Sequence, residues 1–227
     1  MATLTYYGHS TWALDTKGTM VLIDPFLTGN TRTQVAAASL SPSFIIVTHA
    51  HGDHYGDTVD LAKRTGALVI ANFEIANYAQ KQGVANAHAM HIGGGHEFPF
   101  GRVKLTPALH GSSFPDGAYG GMPAGILLEV EGKRVYDAGD TALFSDMRLI
   151  GEGGLDVALL PIGDNFTMGP DDAAKAAKLL GARTVIPQHY NTWPLIAQDP
   201  QQFKRLVESS TDSRVAILEP GDRFEIR

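Results

Sequence analysis

The chain has 227 residues, of which 44% are hydrophobic and 19% are charged, and it contains no cysteine. It therefore cannot hold a disulfide, a Cys-based zinc site or a thiol nucleophile. Its 24 acidic and 18 basic residues give a net charge of -6, which repels a phosphate backbone, so we expect no nucleic-acid partner. The N-terminus lacks the features of a secretory signal, and no apolar stretch approaches the ~20 residues that span a bilayer. We expect a single domain over residues 1–227, in the cytoplasm and away from membranes, and the sequence leaves a homo-oligomer open.

Short apolar and β-branched segments predict strands along the whole chain. They are residues 4–7, 20–23, 44–47, 67–71, 103–107, 125–130, 134–136, 157–160, 184–186, 215–218 and 223–226. Helices are predicted at residues 57–64, 73–82, 170–180 and 200–209. The helix at 170–180 is the clearest, because Pro170 suits a first helical turn and Gly181 can end the helix. The order of strand, polar loop, helix and strand occurs at 44–71 and again at 157–189, which is consistent with two similar α/β halves.

Residues 48–54 read Thr-His-Ala-His-Gly-Asp-His and place four potential metal ligands in six positions: His49, His51, Asp53 and His54. They follow the predicted strand at 44–47 and so lie at its carboxyl end. Residues i and i+2 of an extended chain face the same way, so His49 and His51 can share one cation. Gly52 permits a tight bend, after which Asp53 and His54 can face a second cation about 3.5–4 Å away. Single loop histidines are usually ordinary polar residues, but this density of ligands favours a metal site.

The segment 48–54 fits the HxHxDH signature, and the chain resembles the metallo-β-lactamase superfamily of metallohydrolases. Within that superfamily it is similar to the UPF0173 metal-dependent hydrolases, relatives of the ascorbate-phosphate lactonase branch. The similarity spans nearly the whole chain and rests on its short length and on the phrases YGHS at 7–10, IDPF at 23–26, NFTMGP at 165–170 and QHYNT at 188–192. It implies an α/β fold, the four-layer αβ/βα sandwich of two mixed β-sheets with outer helices, which agrees with the two halves in the strand pattern.

The resemblance also implies a full ligand set in two sites. One site would contain His49, His51 and His110, the other Asp53, His54 and His189, and Asp140 would bridge them. Taken alone, His110 and His189 would more often be structural residues. Asp140 has an alternative as a turn residue that bonds the backbone. We favour bridging, because two cations in one pocket need an anionic oxygen between them.

The ligand types suit several metals. Imidazole and carboxylate together bind zinc, manganese or iron, and geometry and cellular availability decide among these. We expect two divalent metal ions, with zinc as the first choice and manganese or iron as the alternatives.

Two residues near the predicted ligands have open roles. Asp24 ends a predicted strand and can accept the free N–H of a ligating imidazole, or it can be a turn residue before Pro25. His9 can reach the same strand edge and there donate a proton or bind substrate. Together with the ligand candidate Asp53, it is a candidate catalytic residue. The alternative for His9 is an ordinary surface histidine.

Loops beside the probable ligands supply the candidates for substrate contacts: Asn165, Tyr190, Asn191 and Trp193. The two aromatic residues can instead be packing residues. A further group, His88, His91 and His96, surrounds three consecutive glycines and superficially resembles a metal cluster. No family ligand maps there, so we predict a solvent-exposed turn.

Two bound cations lower the pKa of water from about 15.7 towards ~7 and so supply hydroxide without a nucleophile from the chain. We therefore expect a metal-dependent hydrolase that uses a metal-bound hydroxide at a binuclear site on a small-molecule lactone, ester or phosphodiester. A nuclease of the same fold is disfavoured by the acidic balance and the lack of a basic arm. An iron-dependent oxidoreductase is disfavoured by the complete ligand set and the lack of a flavin or redox domain. A non-catalytic metal-binding module is the remaining alternative.

Overall fold

Two seven-stranded β-sheets pack face to face in the computed structural model, which describes all residues 1–227. The first sheet contains β1 (Thr3–Tyr6), β2 (Trp12–Thr16), β3 (Thr19–Ile23), β4 (Phe44–Ile46), β5 (Leu68–Asn72) and β6 (Ala87–Met90). The second contains β7 (Gly95–Phe98), β8 (Gly101–Pro107), β9 (Ala124–Val130), β10 (Lys133–Asp137), β11 (Val157–Pro161), β12 (Thr184–Gln188) and β13 (Arg214–Val215). The last strand, β14 (Arg223–Glu225), returns to the first sheet and pairs with β1.

Helices cover the outer face of each sheet. The first sheet carries α1 (Gly52–Tyr55), α2 (Thr58–Thr65) and α3 (Phe73–Lys81), and the second carries α4 (Met147–Gly151), α5 (Pro170–Leu180) and α6 (Pro200–Ser210). Both sheets contain parallel and antiparallel pairs. The predicted four-layer sandwich of two mixed sheets with outer helices is therefore confirmed. None of the helices combines the length and apolar composition needed to cross a membrane.

The strands that lead to the candidate site are buried on both faces. In β4, Ile46 belongs to the core between the two sheets, whereas Ile45 belongs to the layer between the first sheet and its helices. The same alternation occurs in β3, where Ile23 faces the opposite sheet and Leu22 faces the helices. Burial on both faces explains why these segments are continuous apolar runs.

The carboxyl ends of the parallel strands meet at one edge of each sheet. β3, β4 and β5 are neighbours and parallel, and so are β10, β11 and β12. β8 runs in the same direction as β10, because both are antiparallel to β9. The loops after these strands therefore emerge together, which is where α/β sheets place their ligands.

Most predicted elements are present, and the helix predicted at 170–180 has those bounds as α5. The sequence reading missed β2, β6, β7, α1 and α4, and in the 215–218 prediction only Val215 is part of a strand. The exposed turn predicted around His88, His91 and His96 is present only at residues 91–94. His88 lies in β6 and His96 in β7, two short edge strands in which only Met90 and Phe98 are buried.

Candidate metal centre

The seven ligand candidates come together at the edge where the parallel strands end. The ligand atoms of His49, His51 and His110 lie within 4.8 Å of one another, and the same holds for Asp53, His54 and His189. One carboxylate, that of Asp140, faces both groups. Its Oδ2 is 3.0 Å from His189 Nε2 and 3.5 Å from His110 Nε2, and its Oδ1 is 3.3 Å from His54 Nε2.

Hydrogen bonds fix the segment 48–54 between the two sheets. The Thr48 N–H donates to Asp24 Oδ1 (2.8 Å), and the Thr48 carbonyl accepts from the Ala124 N–H (3.0 Å) of the second sheet. The chain then turns through the single-turn helix α1, in which the Tyr55 N–H donates to the His51 carbonyl at 2.8 Å. Gly52 has no left-handed φ, so the bend is a helical turn and does not need the special freedom of glycine.

Asp24 fixes the orientation of His54. The fully buried Asp24 accepts from His54 Nδ1 at 2.7 Å and from the Thr48 hydroxyl at 2.6 Å, both through Oδ2. With Nδ1 bound to Asp24, His54 Nε2 faces Asp140 and is the ring nitrogen that a metal ion can bind once its proton is displaced. Asp24 itself has a left-handed φ of 44°, an uncommon conformation for a non-glycine residue.

His9 is buried beneath Asp53, so the surface alternative for this residue is wrong. Its Nε2 lies 3.1 Å from Asp53 Oδ2 and its Nδ1 lies 2.8 Å from the Thr192 hydroxyl. Burial, and then the nearby His189, lower the pKa of His9 to about 4, so the ring is neutral at pH 7. The contacts assign the proton to Nε2, which donates to Asp53, while Nδ1 accepts from the Thr192 hydroxyl.

The turn carboxylate of the segment 137–140 is Asp137, and the backbone-bonding alternative for Asp140 is wrong. Asp137 Oδ1 accepts from the Gly139 N–H (2.9 Å) and from Gln188 Nε2 (2.7 Å). Gln188 Oε1 in turn accepts from Trp12 Nε1 of the first sheet at 2.6 Å. Burial, and then the charge of Asp24, raise the pKa of Asp137 to about 7. No residue of this buried network was among the site residues predicted from the sequence.

The electrostatics of the centre fit bound cations. Burial lowers the pKa of His49, His51 and His110, which therefore offer neutral nitrogens at pH 7. Burial alone would also lower the pKa of His54 and His189, but the Asp140 carboxylate outweighs it. The pKa of His54 is raised well above its usual value and that of His189 to about 9. Protons on these two rings supply the positive charge that balances the buried carboxylates. Bound metal ions would supply that charge instead.

Two unpartnered atoms give the same indication. His54 Nε2 and Asp140 Oδ1 are both buried and lie 3.3 Å apart, but the contact lacks hydrogen-bond geometry and neither atom has another partner. Buried polar atoms are rarely left unpaired, and an ion is one of the ordinary reasons. Nitrogen and oxygen donors in this arrangement fit divalent metal ions.

The four candidates for substrate contacts occupy different positions. Asn165 is exposed in the loop after β11, and the Trp193 ring is half-buried with its centroid 4.9 Å from that of His9. Tyr190 is 3% exposed and belongs to the core between the second sheet and its helices. The Asn191 side chain accepts a hydrogen bond from the Gln198 N–H at 2.8 Å and so shapes its own loop.

A large cavity lies away from this centre, at the opposite edge of the second sheet. It has a volume of about 1030 Å³ and contains none of the ligand candidates. Its lining includes Val157 and Thr184, the first residues of β11 and β12, and the cationic side chains of Arg183, Lys204 and Arg214.

Comparison with known proteins assigns the family. Residues 19–190 match the β-lactamase superfamily domain. A protein of Bacillus thuringiensis named UPF0173 metal-dependent hydrolase is 55% identical over 229 residues, which cover 98% of this chain and 99% of the relative. The chain belongs to the UPF0173 metal-dependent hydrolases. It is thus a metal-dependent hydrolase, and the resemblance inferred from its motifs is confirmed.

Solved structures agree with this family. Igni18, a metallo hydrolase from the archaeon Ignicoccus hospitalis, superposes with a TM-score of 0.90 at 38% identity, covering 100% of this chain and 99% of that one. CmlA, a diiron β-hydroxylase from Streptomyces venezuelae, has a TM-score of 0.77 at 15% identity, covering 99% of this chain and 54% of its own. The likeness to CmlA shows the shared fold alone.

Proposed function

We propose that this UPF0173 hydrolase cleaves a small lactone, ester or phosphodiester at a binuclear metal centre, with zinc as the preferred metal. The observation that supports two metals is the position of Asp140. Its carboxylate lies within 3.5 Å of His110 in one ligand group and of His54 and His189 in the other. An anionic oxygen between two imidazole groups is the feature that neighbouring cations require.

Each proposed metal has its own ligands from the chain. His49, His51 and His110 would hold one ion, Asp53, His54 and His189 the other, and Asp140 both. The chemistry that two divalent cations supply when bound is a lowered pKa of water and polarisation of the bond that is cleaved. No cysteine is present, and we assign no covalent intermediate on the chain.

The other site residues position these groups. Asp53 is the more exposed of the two ligand carboxylates, with 26% of its side chain accessible against 3% for Asp140, so it faces incoming water and substrate. His9 donates to Asp53 and holds it in place. Asp24 holds His54 in the tautomer that leaves Nε2 free.

Metal analysis combined with a substrate screen tests this function. We expect metal-replete protein to contain about two equivalents of zinc per chain and to hydrolyse members of a lactone, ester and phosphodiester panel. His51→Ala should lose metal and activity together. His88→Ala is the matched control, because His88 is an imidazole on edge strand β6, outside the centre.

Different results would overturn different parts of the proposal. Full metal content in His51→Ala would contradict the ligand assignment. A single equivalent of metal in active protein would contradict the binuclear centre. Iron as the resident metal, with turnover that consumes oxygen, would instead indicate an oxidoreductase. A metal-loaded protein that hydrolyses nothing in the panel would favour a binding module.

A further inference from the structure

Exposed large hydrophobic side chains are concentrated around the candidate metal centre. Eight such side chains are exposed in the molecule, and all but Met1 and Leu149 lie in the loops, or at the helix start, on the edge that carries the centre. We call these six the apolar rim: Phe73, Leu109, Tyr119, Met122, Phe166 and Leu195. They are between 49% and 69% exposed. Isolated exposed hydrophobics are normal, but a group on one edge of the molecule indicates a binding surface.

Two rim residues are attached to the residue after Asp140. The Leu109 N–H donates to the Thr141 hydroxyl at 3.0 Å, and Leu109 precedes the ligand candidate His110. The Met168 N–H donates to the Thr141 carbonyl, also at 3.0 Å, which holds the loop that carries Phe166. Thr141 therefore places two apolar side chains beside the bridging carboxylate.

Three more rim residues surround the segment 48–54. The Asn72 amide donates to the carbonyls of Gly120 (2.7 Å) and Met122 (3.0 Å), which ties Phe73 to the segment 112–122. That segment packs directly on the metal loop, because a Cβ at Gly120 would lie 2.1 Å from the Ala50 Cβ. Tyr119 and Met122 flank this contact.

The last rim residue lies in the loop after His189. A hydrogen bond from the Asn191 N–H to the Ile196 carbonyl (2.9 Å) closes this loop. Leu195 and Trp193 project from it, and the Trp193 ring is the one that lies against His9. The rim thus contains side chains from both sheets, on the edge that carries the centre.

Lys and Arg are scarce in the connections of this edge. The second-sheet connections 108–123, 138–146, 162–169 and 189–199 contain no Lys or Arg. On the first sheet, the connections 24–43 and 47–57 contain Arg32 alone, and its guanidinium pairs with Glu219 at 2.9 Å. By contrast, Arg183, Lys204 and Arg214 line the cavity at the opposite edge. In these connections, a phosphate or carboxylate on a substrate would find no Lys or Arg partner other than Arg32, which is already paired with Glu219.

We propose that the substrate is an uncharged carboxylic ester or lactone whose apolar portion binds to the rim. This inference rests on the proposed hydrolytic function and narrows it, because it excludes phosphodiesters and phosphorylated lactones. In the reaction, water adds its hydroxyl to the acyl carbon, the acyl carbon–oxygen bond breaks, and the proton goes to the departing alkoxide. The products are a carboxylic acid and an alcohol, or a hydroxy acid when the substrate is a lactone.

A series of esters with one leaving group tests the substrate class. With metal-replete protein, we expect kcat/KM to rise about two- to fourfold per added CH₂ from p-nitrophenyl acetate to butyrate to hexanoate, because the rim removes the acyl chain from water. p-Nitrophenyl phosphate, bis(p-nitrophenyl) phosphate and mono-p-nitrophenyl glutarate, which carry a negative charge, should each be at least about tenfold poorer substrates than the butyrate ester.

Rim variants then identify the binding surface. Phe166→Ser and Leu195→Ser should flatten the dependence of kcat/KM on chain length while metal content stays at the wild-type value. Leu149→Ser is the matched control, because Leu149 is equally exposed but lies on α4, outside the rim. Leu149→Ser should leave the dependence of kcat/KM on acyl chain length unchanged.

The outcomes separate this inference from the function on which it rests. Faster hydrolysis of a charged substrate than of the neutral esters would overturn the inference and leave the hydrolase proposal intact. A chain-length dependence that both serine variants retain would overturn the role of the rim. Fully metal-loaded protein that hydrolyses none of the substrates would overturn the proposed function and this inference with it.

Discussion

Asp24 acts on the metal centre through His54. Its carboxylate accepts from the His54 ring and from the hydroxyl and N–H of Thr48, all within 2.8 Å. An asparagine at this position keeps one oxygen as an acceptor. Its NH₂ group, however, would face one of the groups that donate to the Asp24 carboxylate. We expect Asp24→Asn to weaken metal affinity and kcat/KM by about 10–100-fold, which is typical for a partner of a metal ligand. Competition with a chelating dye measures the affinity.

The control for this substitution is Asp57→Asn. Asp57 Oδ2 accepts from the N–H groups of Leu27 and Thr28 at 3.0 and 2.8 Å, and it makes no recorded contact with an imidazole. An asparagine can accept both bonds, so metal affinity should stay at the wild-type value. Equal affinity in Asp24→Asn and the wild-type protein would contradict the role of Asp24.

Metal uptake should release protons at neutral pH. In the metal-free chain, carboxylates hold the pKa of His54 well above its usual value and that of His189 at about 9. Metal binding must displace these protons, so on the order of two protons per chain should appear in a weakly buffered zinc titration at pH 7. Fewer should appear above pH 9, where His189 has already lost its proton. Binding without proton release at pH 7 would contradict this charge state.

The raised pKa of His189 makes the stability of the metal-free protein depend on pH. The folded-state pKa of His189 lies above the unfolded value of 6.5, so its protonation stabilises the fold fully below pH 6.5. This contribution is lost as the pH rises through about 9. Metal-free protein should therefore lose stability to urea between these values, and a His189→Asn variant should lose less over the same window.

Local spacing was enough to predict four of the seven ligand candidates, but not the residues that hold them in place. Four candidates follow one strand within six positions, and such a pattern can be recognised without the fold. Asp137 pairs with Gln188, 51 positions away in the chain. Ser112 accepts from the Ala50 N–H, 62 positions away, and Thr192 pairs with His9, 183 positions away. No pattern in the sequence around each of them indicates those partners.

At the level of elements, two glycines beside the metal loop should respond in opposite ways to alanine. A Cβ at Gly120 would lie 2.1 Å from the Ala50 Cβ, so Gly120→Ala must displace the segment 48–54. We expect a loss of about 1–3 kcal/mol in the free energy of unfolding, together with weaker metal binding. Denaturation in urea and metal titration measure the two effects.

Gly52→Ala is the matched control. Gly52 begins α1 without a left-handed φ, and its Cβ would meet only a side-chain atom of Pro115 at 3.4 Å, an ordinary contact. Alanine also favours a helix by up to about 1 kcal/mol over glycine. Stability and metal affinity should be kept or slightly raised. If the two variants lost stability equally, the close approach of Gly120 to Ala50 would not be the cause.

The elements that could be predicted are those with a strong local pattern. β4 is apolar because both of its faces are buried, and α5 has Pro170 at its start and Gly181 in the left-handed conformation after its end. β6 and β7 could not be predicted, because they are short edge strands in which only the last residue of each is buried. Pairing with one neighbour gives such strands their conformation, and pairing leaves little trace in composition.

At the scale of the whole molecule, the centre joins the two sheets. His49, His51, Asp53 and His54 follow β4 of the first sheet, whereas His110, Asp140 and His189 follow β8, β10 and β12 of the second. The sequence predicted two halves with their own ligand loops. How the halves face each other came from the family resemblance, because contacts between sheets have no local pattern.

Metal removal should therefore destabilise the entire fold and not only the loops. A cation held by both sheets binds the folded chain alone, and free metal at 100 times its Kd adds about 2.7 kcal/mol to stability. For a chain of this length, that corresponds to a fall of about 5–11 °C in Tm when a chelator removes the metal. Calorimetry should show one transition that shifts as a whole. In His51→Ala, which cannot hold a full set of ligands, chelation should move Tm much less. An unchanged Tm in wild-type protein whose metal has been removed would mean that the ions do not link the sheets.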